Sequence, residues 1–235
     1  MWRKVKLDEI CTKITDGSHN PPKQIEHSDF IMLSSKNVFD DEINFDKPRY
    51  LTEEDFIKEN RRTDVQVGDV LLTIVGTIGR CAIVENLVQR FTLQRSVAVL
   101  KPVHDLVLPR FLMYTLHNMI DELTQGARGV AQKGIYLKSL KKLSLSLPPV
   151  PVQKQIVEKL DAAFADIDRA ITATQKNIEN AEAFFKCILQ KYFASPKEDW
   201  LKGNIGDFCT LKSGHTLKPK YELDKGELPY LKVAD

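Results

Sequence analysis

Glu53-Glu54-Asp55 offers clustered carboxylates, a requirement of a metal-dependent nuclease that also needs a catalytic lysine close by. The run lies at a predicted helix start, where acids favour the helix dipole without any catalytic role. The five histidines, His19, His27, His104, His117 and His215, show no metal-ligand spacing. No GxxxxGKS/T loop is present to cradle a nucleotide. No catalytic set, metal site or cofactor is therefore expected. The cations are more informative. Between Leu123 and Val157 there is no acid, while Arg128, Lys133, Lys138, Lys141, Lys142 and Lys154 supply six positive charges. Asn86 to His104 is also free of acids and carries Arg90, Arg95 and Lys101, whereas acids crowd into Asp40-Asp41-Glu42 and Glu53-Glu54-Asp55. Such segregation predicts one positive face, the footprint of a polyanion binder. The alternative is a set of solvated loops near lysine-rich turns.

Positioning those side chains requires a folded frame, and the composition supplies one. The chain has 235 residues, 43% hydrophobic and 28% charged, with a net charge of +2. That balance suits a globular protein with a sizeable core. Cys11, Cys81, Cys187 and Cys209 lie far apart with no CxxC pair, which predicts reduced, buried thiols in a cytoplasmic protein. No signal peptide and no membrane span are expected, since no apolar run approaches ~18 residues. Strands are predicted at Phe30–Leu33, Asp69–Val75, Arg80–Val84 and Phe91–Leu100 from β-branched runs bounded by turn chemistry. Pro109 opens a predicted helix closed by Gly126. Leu143, Leu145 and Leu147 alternate with serines as a short half-buried strand, and Pro148-Pro149 ends the domain.

From Val152 the apolar period changes to steps of four and three. Ile156, Leu160, Ile167, Ile171, Ile178, Phe185 and Ile188 mark one stripe, with neither Gly nor Pro until Pro196. At 1.5 Å per residue this is a helix of roughly 60 Å, and its one-sided stripe predicts a coiled-coil seam seeking a partner helix. The alternative is a long core helix packed on its own domain. Near its end the chain repeats its beginning. Trp2, Lys4, Cys11 and Thr12 return as Trp200, Lys202, Cys209 and Thr210 at a constant offset, with Leu7/Ile205 and Ile10/Phe208 keeping their chemistry. The expected order is a mixed domain over 1–148, a long helical spacer over 149–196, and the start of a second copy of the domain over 197–235, too short to bury a core. The fold class is α+β, a globular mixed α/β domain followed by a long coiled-coil-forming α-helix.

Gly68-Asp69-Val70-Leu71-Leu72-Thr73-Ile74-Val75-Gly76-Thr77-Ile78-Gly79 fits a pattern G-D-I/V-L-x-x-x-x-G-S/T-x-G, and Gly134–Leu143 resembles the stretch that leads out of a domain carrying that pattern. Leu147-Pro148-Pro149-Val150-Pro151-Val152-Gln153-Lys154-Gln155-Ile156 is similar to L-P-P-L-x-E-Q-x-x-I, with Val152 in place of the usual Glu. Together these strings resemble the target-recognition domain and conserved helix of the specificity (S, HsdS-type) subunits of Type I restriction–modification enzymes. The resemblance implies that each target-recognition domain reads one half of a bipartite double-stranded DNA sequence. It implies that the helices of two halves pair antiparallel and set the half-site spacing. It also implies a non-catalytic subunit that docks modification (methyltransferase) subunits and works with ATP-driven restriction subunits. Lacking a second long helix, this half is expected to pair with another copy as a homodimer.

DNA reading needs Arg and Lys at phosphates, with amides, hydroxyls and a few cations at base edges. The turn-rich loop Asp16–Lys23 suits close approach to a backbone. Lys36, Arg80, Arg95, Arg128 and Lys133 are the expected DNA contacts, and Ser35, Asn37, Gln94 and Gln132 the candidate base readers. Gln94-Arg95 is expected mid-strand, where Gln94 could instead bond a neighbouring strand. His19-Asn20-Pro21-Pro22-Lys23 also resembles the N-P-P-aromatic motif of adenine methyltransferases. Lys23 stands in place of the aromatic, and no Gly-rich turn precedes it. An autonomous methyltransferase is thus the least supported alternative, behind a coiled-coil scaffold without a nucleic-acid role.

Overall fold

The computed structural model describes residues 2–121, 134–194, 200–201, 203–212 and 214. The first elements are β1 (Arg3–Lys6), α1 (Leu7–Ile10), β2 (Cys11–Asp16), β3 (Ile31–Leu33), β4 (Val38–Phe39), β5 (Glu42–Ile43), β6 (Arg49–Tyr50) and α2 (Glu53–Thr63). Then come β7 (Val70–Thr73), β8 (Cys81–Ile83), β9 (Phe91–Leu93), β10 (Val97–Pro102) and α3 (Pro109–Asn118). The last are α4 (Leu137–Lys141), β11 (Ser144–Leu147), α5 (Val150–Phe193) and α6 (Ile205–Phe208). Two units, Met1–Ile171 and Thr172–Asp235, are each compact.

In the first unit an antiparallel sheet of order β2-β10-β7-β8 is buried on both faces. Alternate side chains point to opposite sides of a strand, and the two cores divide accordingly. Val70, Leu72, Ala98 and Leu100 join α1, α3 and α4 in one cluster. Leu71, Val97 and Val99 join Ile31, Leu33, Phe91 and Leu93 in the other. A second sheet, β6-β3-β9, covers that second face, with β3 and β9 parallel. Strand β11 returns to pair antiparallel with β1. Helix α2 begins at Thr52, whose Oγ1 accepts from the Asp55 backbone N–H at 3.2 Å, so its three acids serve the helix start.

The predicted strand Phe91–Leu100 is two strands in two sheets. Gln94-Arg95-Ser96 forms a turn, with the Val97 N–H donating to the Gln94 carbonyl at 3.0 Å. Gln94-Arg95 is therefore in a turn rather than mid-strand. Arg95 also donates its backbone N–H to Ser18, 2.9 Å away. A second correction concerns charge. Lys101 is drawn out of the basic surface by Asp69, at 2.6 Å, with its side chain only 16% exposed. Burial outweighs this pairing and leaves the Asp69 carboxyl above its ordinary pKa.

The thiols divide into two classes. Cys11 and Cys81 are buried, whereas Cys187 and Cys209 are exposed, contrary to the expectation that all four are core residues. Burial, reinforced by Asp69 and Asp8, pushes the Cys11 thiol up to about 12, and burial with Asp40 raises Cys81 as well. Because the thiolate is the nucleophile, brief alkylation of the native protein near neutral pH should label Cys187 and Cys209 and spare the other two. Peptide mass spectrometry reads this directly, and equal labelling of all four would contradict the packing.

Helix α5 joins the first core at its start. Ile156 and Val157 pack against the first cluster, and the Phe164 ring lies 5.6 Å from that of Tyr114. Gln153 is fully buried. Its Oε1 accepts from the Leu108 N–H, and its Nε2 donates to the Leu106 and Pro148 carbonyls, each at 2.9 Å. Ile156 and Leu160 are thus partly used by the domain, which shortens the free seam. Ile167, Ile171, Ile178, Phe185 and Ile188 remain 36–63% exposed.

In the second unit the Phe193 and Trp200 rings meet edge-on at 5.7 Å. Helix α6 falls where the repeat places the counterpart of α1, and the Asp207 carboxylate accepts from the Asn204 N–H at 2.7 Å. Leu7 and Ile10 of α1 are buried, but Ile205 and Phe208 of α6 are 67% and 58% exposed. The local turn forms in both copies, and among the described residues it covers a buried core only in the first. Among the described residues no helix is long and apolar enough to cross a membrane.

Candidate nucleic-acid interface

Strand direction gathers the polar loops at one edge. Strands β2 and β7 both run antiparallel to β10, so they point the same way. Strands β3 and β9 are parallel to each other. The segments that follow all four meet. Ser18 bridges Gln94, Ser35 N–H donates to Ser96 Oγ at 3.0 Å, and Ile74 N–H donates to the Ser96 carbonyl at 2.8 Å. Gly17 makes the crossing possible, because a Cβ there would lie 2.0 Å from the Leu93 carbonyl oxygen.

Two clefts share Val75 at this edge. The first, about 470 Å³, is lined by Ser35, Lys36, Asn37, Gly76 and Gln94, and also by Gln24, Lys47 and Arg49. Gly76 has φ +85°, and a Cβ there would stand 3.2 Å from Ser35 Oγ. The second, about 170 Å³, is lined by Asp16, His19, Arg95 and Tyr136 among others. The acid-free segment is fixed here, at its first described residues, by a Val75–Gly134 bridge and by Ile135 N–H donating to the Ile74 carbonyl at 2.9 Å.

The structure treats the expected contacts differently. Lys36 is exposed at the cleft rim, and Ser35 is half-buried beside it. Gln94 Oε1 accepts from Ser96 N–H at 3.0 Å, and among the described residues its Nε2 has no protein partner. This orientation leaves donors for acceptor-bearing base edges. Asn37 must be withdrawn as a base reader. It is 5% exposed, its Oδ1 accepts from Ser34 N–H at 3.1 Å, and its Nδ2 donates to the Asn44 and Asp46 carbonyls at 3.1 Å. Its amide holds the loop. Arg80 lies apart from both clefts, its guanidinium 4.8 Å from the centre of the Phe39 ring. Arg128, Gln132 and Lys133 lie outside the described residues.

Sequence reasoning passed over Lys47, Arg49 and Tyr136. Lys47-Pro48-Arg49 is a basic turn whose signal was available, and Arg49 ties to the Pro22 carbonyl at 2.8 Å. Tyr136, 58% exposed, could be found only by seeing what Gly134 is bonded to. Among the described residues no group of three His, Cys, Asp or Glu could hold a metal ion. The edge can offer cations, amide donors and hydroxyls to a polyanion with readable edges.

Residues 1–180 match the family described as Type I restriction modification DNA specificity domain. Over 160 residues the chain is 30% identical to the Type I restriction enzyme EcoBI specificity subunit of Escherichia coli, which is 67% of this chain and 32% of that protein. The crystal structure of the HsdS subunit from Thermoanaerobacter tengcongensis shares the fold, with TM-score 0.50 and 23% identity over 71% of this chain and 38% of that one. A chain from a structure of the type I R-M system, concerned with complex assembly and conformational transition, aligns with TM-score 0.53 and 24% identity. That alignment covers 81% of this chain and 44% of the other. The chain spans about a third of the curated relative's length and less than half of each solved chain.

Proposed function

The chain belongs to the family of Type I restriction modification DNA specificity domains, and from that premise we propose that it is a non-catalytic subunit reading one half of a bipartite double-stranded DNA target. The observation that supports this most is the meeting of four strand ends, which brings Ser35, Lys36, Gln94 and Arg95 to one edge. Residues 1–148 are the reading domain, 149–196 the spacer helix, and 197–235 the start of a second copy. Modification subunits dock on this frame and supply the methyl transfer, with restriction subunits joining them. The exposed stripe of α5 takes an antiparallel helix of like pattern. Between copies of these 235 residues, that is the α5 of a second copy, and the paired length sets the half-site spacing. Two identical reading domains would then select a palindromic target with a central gap.

The test is an anisotropy titration of duplex DNA against salt, with the chain alone and with modification subunits. Each phosphate contact contributes about 0.9 to the slope of log affinity against log salt. Lys36→Ala should weaken binding to all sequences and lower the slope by about one. Gln94→Ala should instead relax preference at one base pair, by about 1–3 kcal/mol. The exposed seam also suits a coiled-coil scaffold. Salt-independent binding, or none even with modification subunits, would favour that reading and sink the first.

A further inference from the structure

The second cleft contains an arrangement that a purely structural tie does not require. Asp16, 7% exposed, divides its carboxylate. Oδ2 meets His19 Nε2 at 2.9 Å, and Oδ1 meets the guanidinium of Arg62. Arg62 Nε also donates to the Asp16 carbonyl at 2.9 Å, which already fastens α2 to β2. The histidine adds nothing to that fastening. Its side chain is 53% exposed and lines the same cleft as Arg95 and Tyr136.

The tautomer decides what His19 can offer. With Nε2–H given to the carboxylate, a neutral ring presents a lone pair at Nδ1, which repels an anion. The imidazolium presents Nδ1–H instead, a charge-assisted donor. Resting on the reading of this edge as a DNA surface, we propose that His19 and Arg95 form a phosphodiester-binding site, with Asp16 as its positioning residue, that engages a DNA phosphate through His19 in its protonated form. The charged and titratable groups facing His19 are Asp16 from β2, Arg62 from α2, Arg95 from the β9–β10 turn and Tyr136 ahead of α4. A phosphate adds a second anion, so DNA binding and protonation of His19 promote each other.

The experiment titrates duplex DNA with the full chain and its modification subunits at about pH 6 and about pH 8, across a salt series. Wild type should bind roughly three- to tenfold tighter at the lower pH, with a salt slope steeper by about one. His19→Gln should abolish that pH gain. Arg95→Gln should weaken binding at both pH values. Asp16→Asn should shrink the gain, and if circular dichroism shows that this variant does not fold, the two surface variants decide alone. A pH gain that survives His19→Gln, or an Arg95→Gln variant that binds like wild type, overturns the site. Failure of wild type to bind at either pH would instead overturn the DNA reading on which it rests.

Discussion

Replacing Gln153 by Leu should cost the protein on the order of 3–5 kcal/mol of folding stability, although side-chain volume is nearly unchanged. The residue is fully buried, and its amide satisfies one N–H and two carbonyls from Leu108, Leu106 and Pro148. Each buried group stranded without a partner costs about 1–3 kcal/mol. Those groups belong to the segments that precede α3 and α5, so the damage falls where α5 joins the first core. Gln153→Glu sharpens the point. An ionised Glu can still accept from Leu108 but cannot donate to the carbonyls, and its buried charge is penalised. Protonation restores one donor, so the deficit of the Glu variant should shrink as pH falls, while that of the Leu variant stays flat. Urea unfolding across pH distinguishes the two. A Leu variant within about 0.5 kcal/mol of wild type would remove Gln153 as the clamp.

The second large effect concerns assembly. Ile167→Asp combined with Ile178→Asp should leave the monomer folded and abolish pairing through α5. Both side chains are half or more exposed, so the isolated chain loses little core. In a pair of copies the change removes four isoleucines that are already half covered, each contributing about 0.8–1.5 kcal/mol, which weakens association by on the order of 10²- to 10⁴-fold. Sedimentation velocity at micromolar concentration reads the outcome, with circular dichroism checking helix content. A double variant that sediments as wild type does would show that this stripe is not the seam.

Periodicity made the long helix, α3 and strands β3, β7, β8 and β11 legible, because each carries its pattern within one segment. The break in Phe91–Leu100 was hidden for a physical reason. Leu93 and Val97 are four residues apart, so the turn preserves parity, and Phe91, Leu93, Val97 and Val99 all face one cluster. A continuous strand would show the same alternation. Asn37 was misread because its partners lie seven and nine residues on, and a polar side chain in a loop looks alike whether it faces solvent or its own backbone. Lys101 counted towards a basic surface until its ion pair with Asp69 became visible. Family resemblance placed the chain correctly, but only the geometry separates Lys36 and Gln94, held in one cleft, from Arg80 on the Phe39 ring.

The cleft edge divides its labour between different atoms. Asn37 spends its amide on Ser34, Asn44 and Asp46, and Ser96 spends its hydroxyl on Ser35. The Lys36 ammonium and the Gln94 amide nitrogen carry none of that scaffolding. Exchanging the Lys36 side chain therefore disturbs little that the fold depends on, exchanging Gln94 gives up one bond to the Ser96 N–H, and exchanging Asn37 or Ser96 dismantles the loop. Such a partition lets the presented positions vary in their chemistry while the frame that Asn37 and Ser96 hold stays intact.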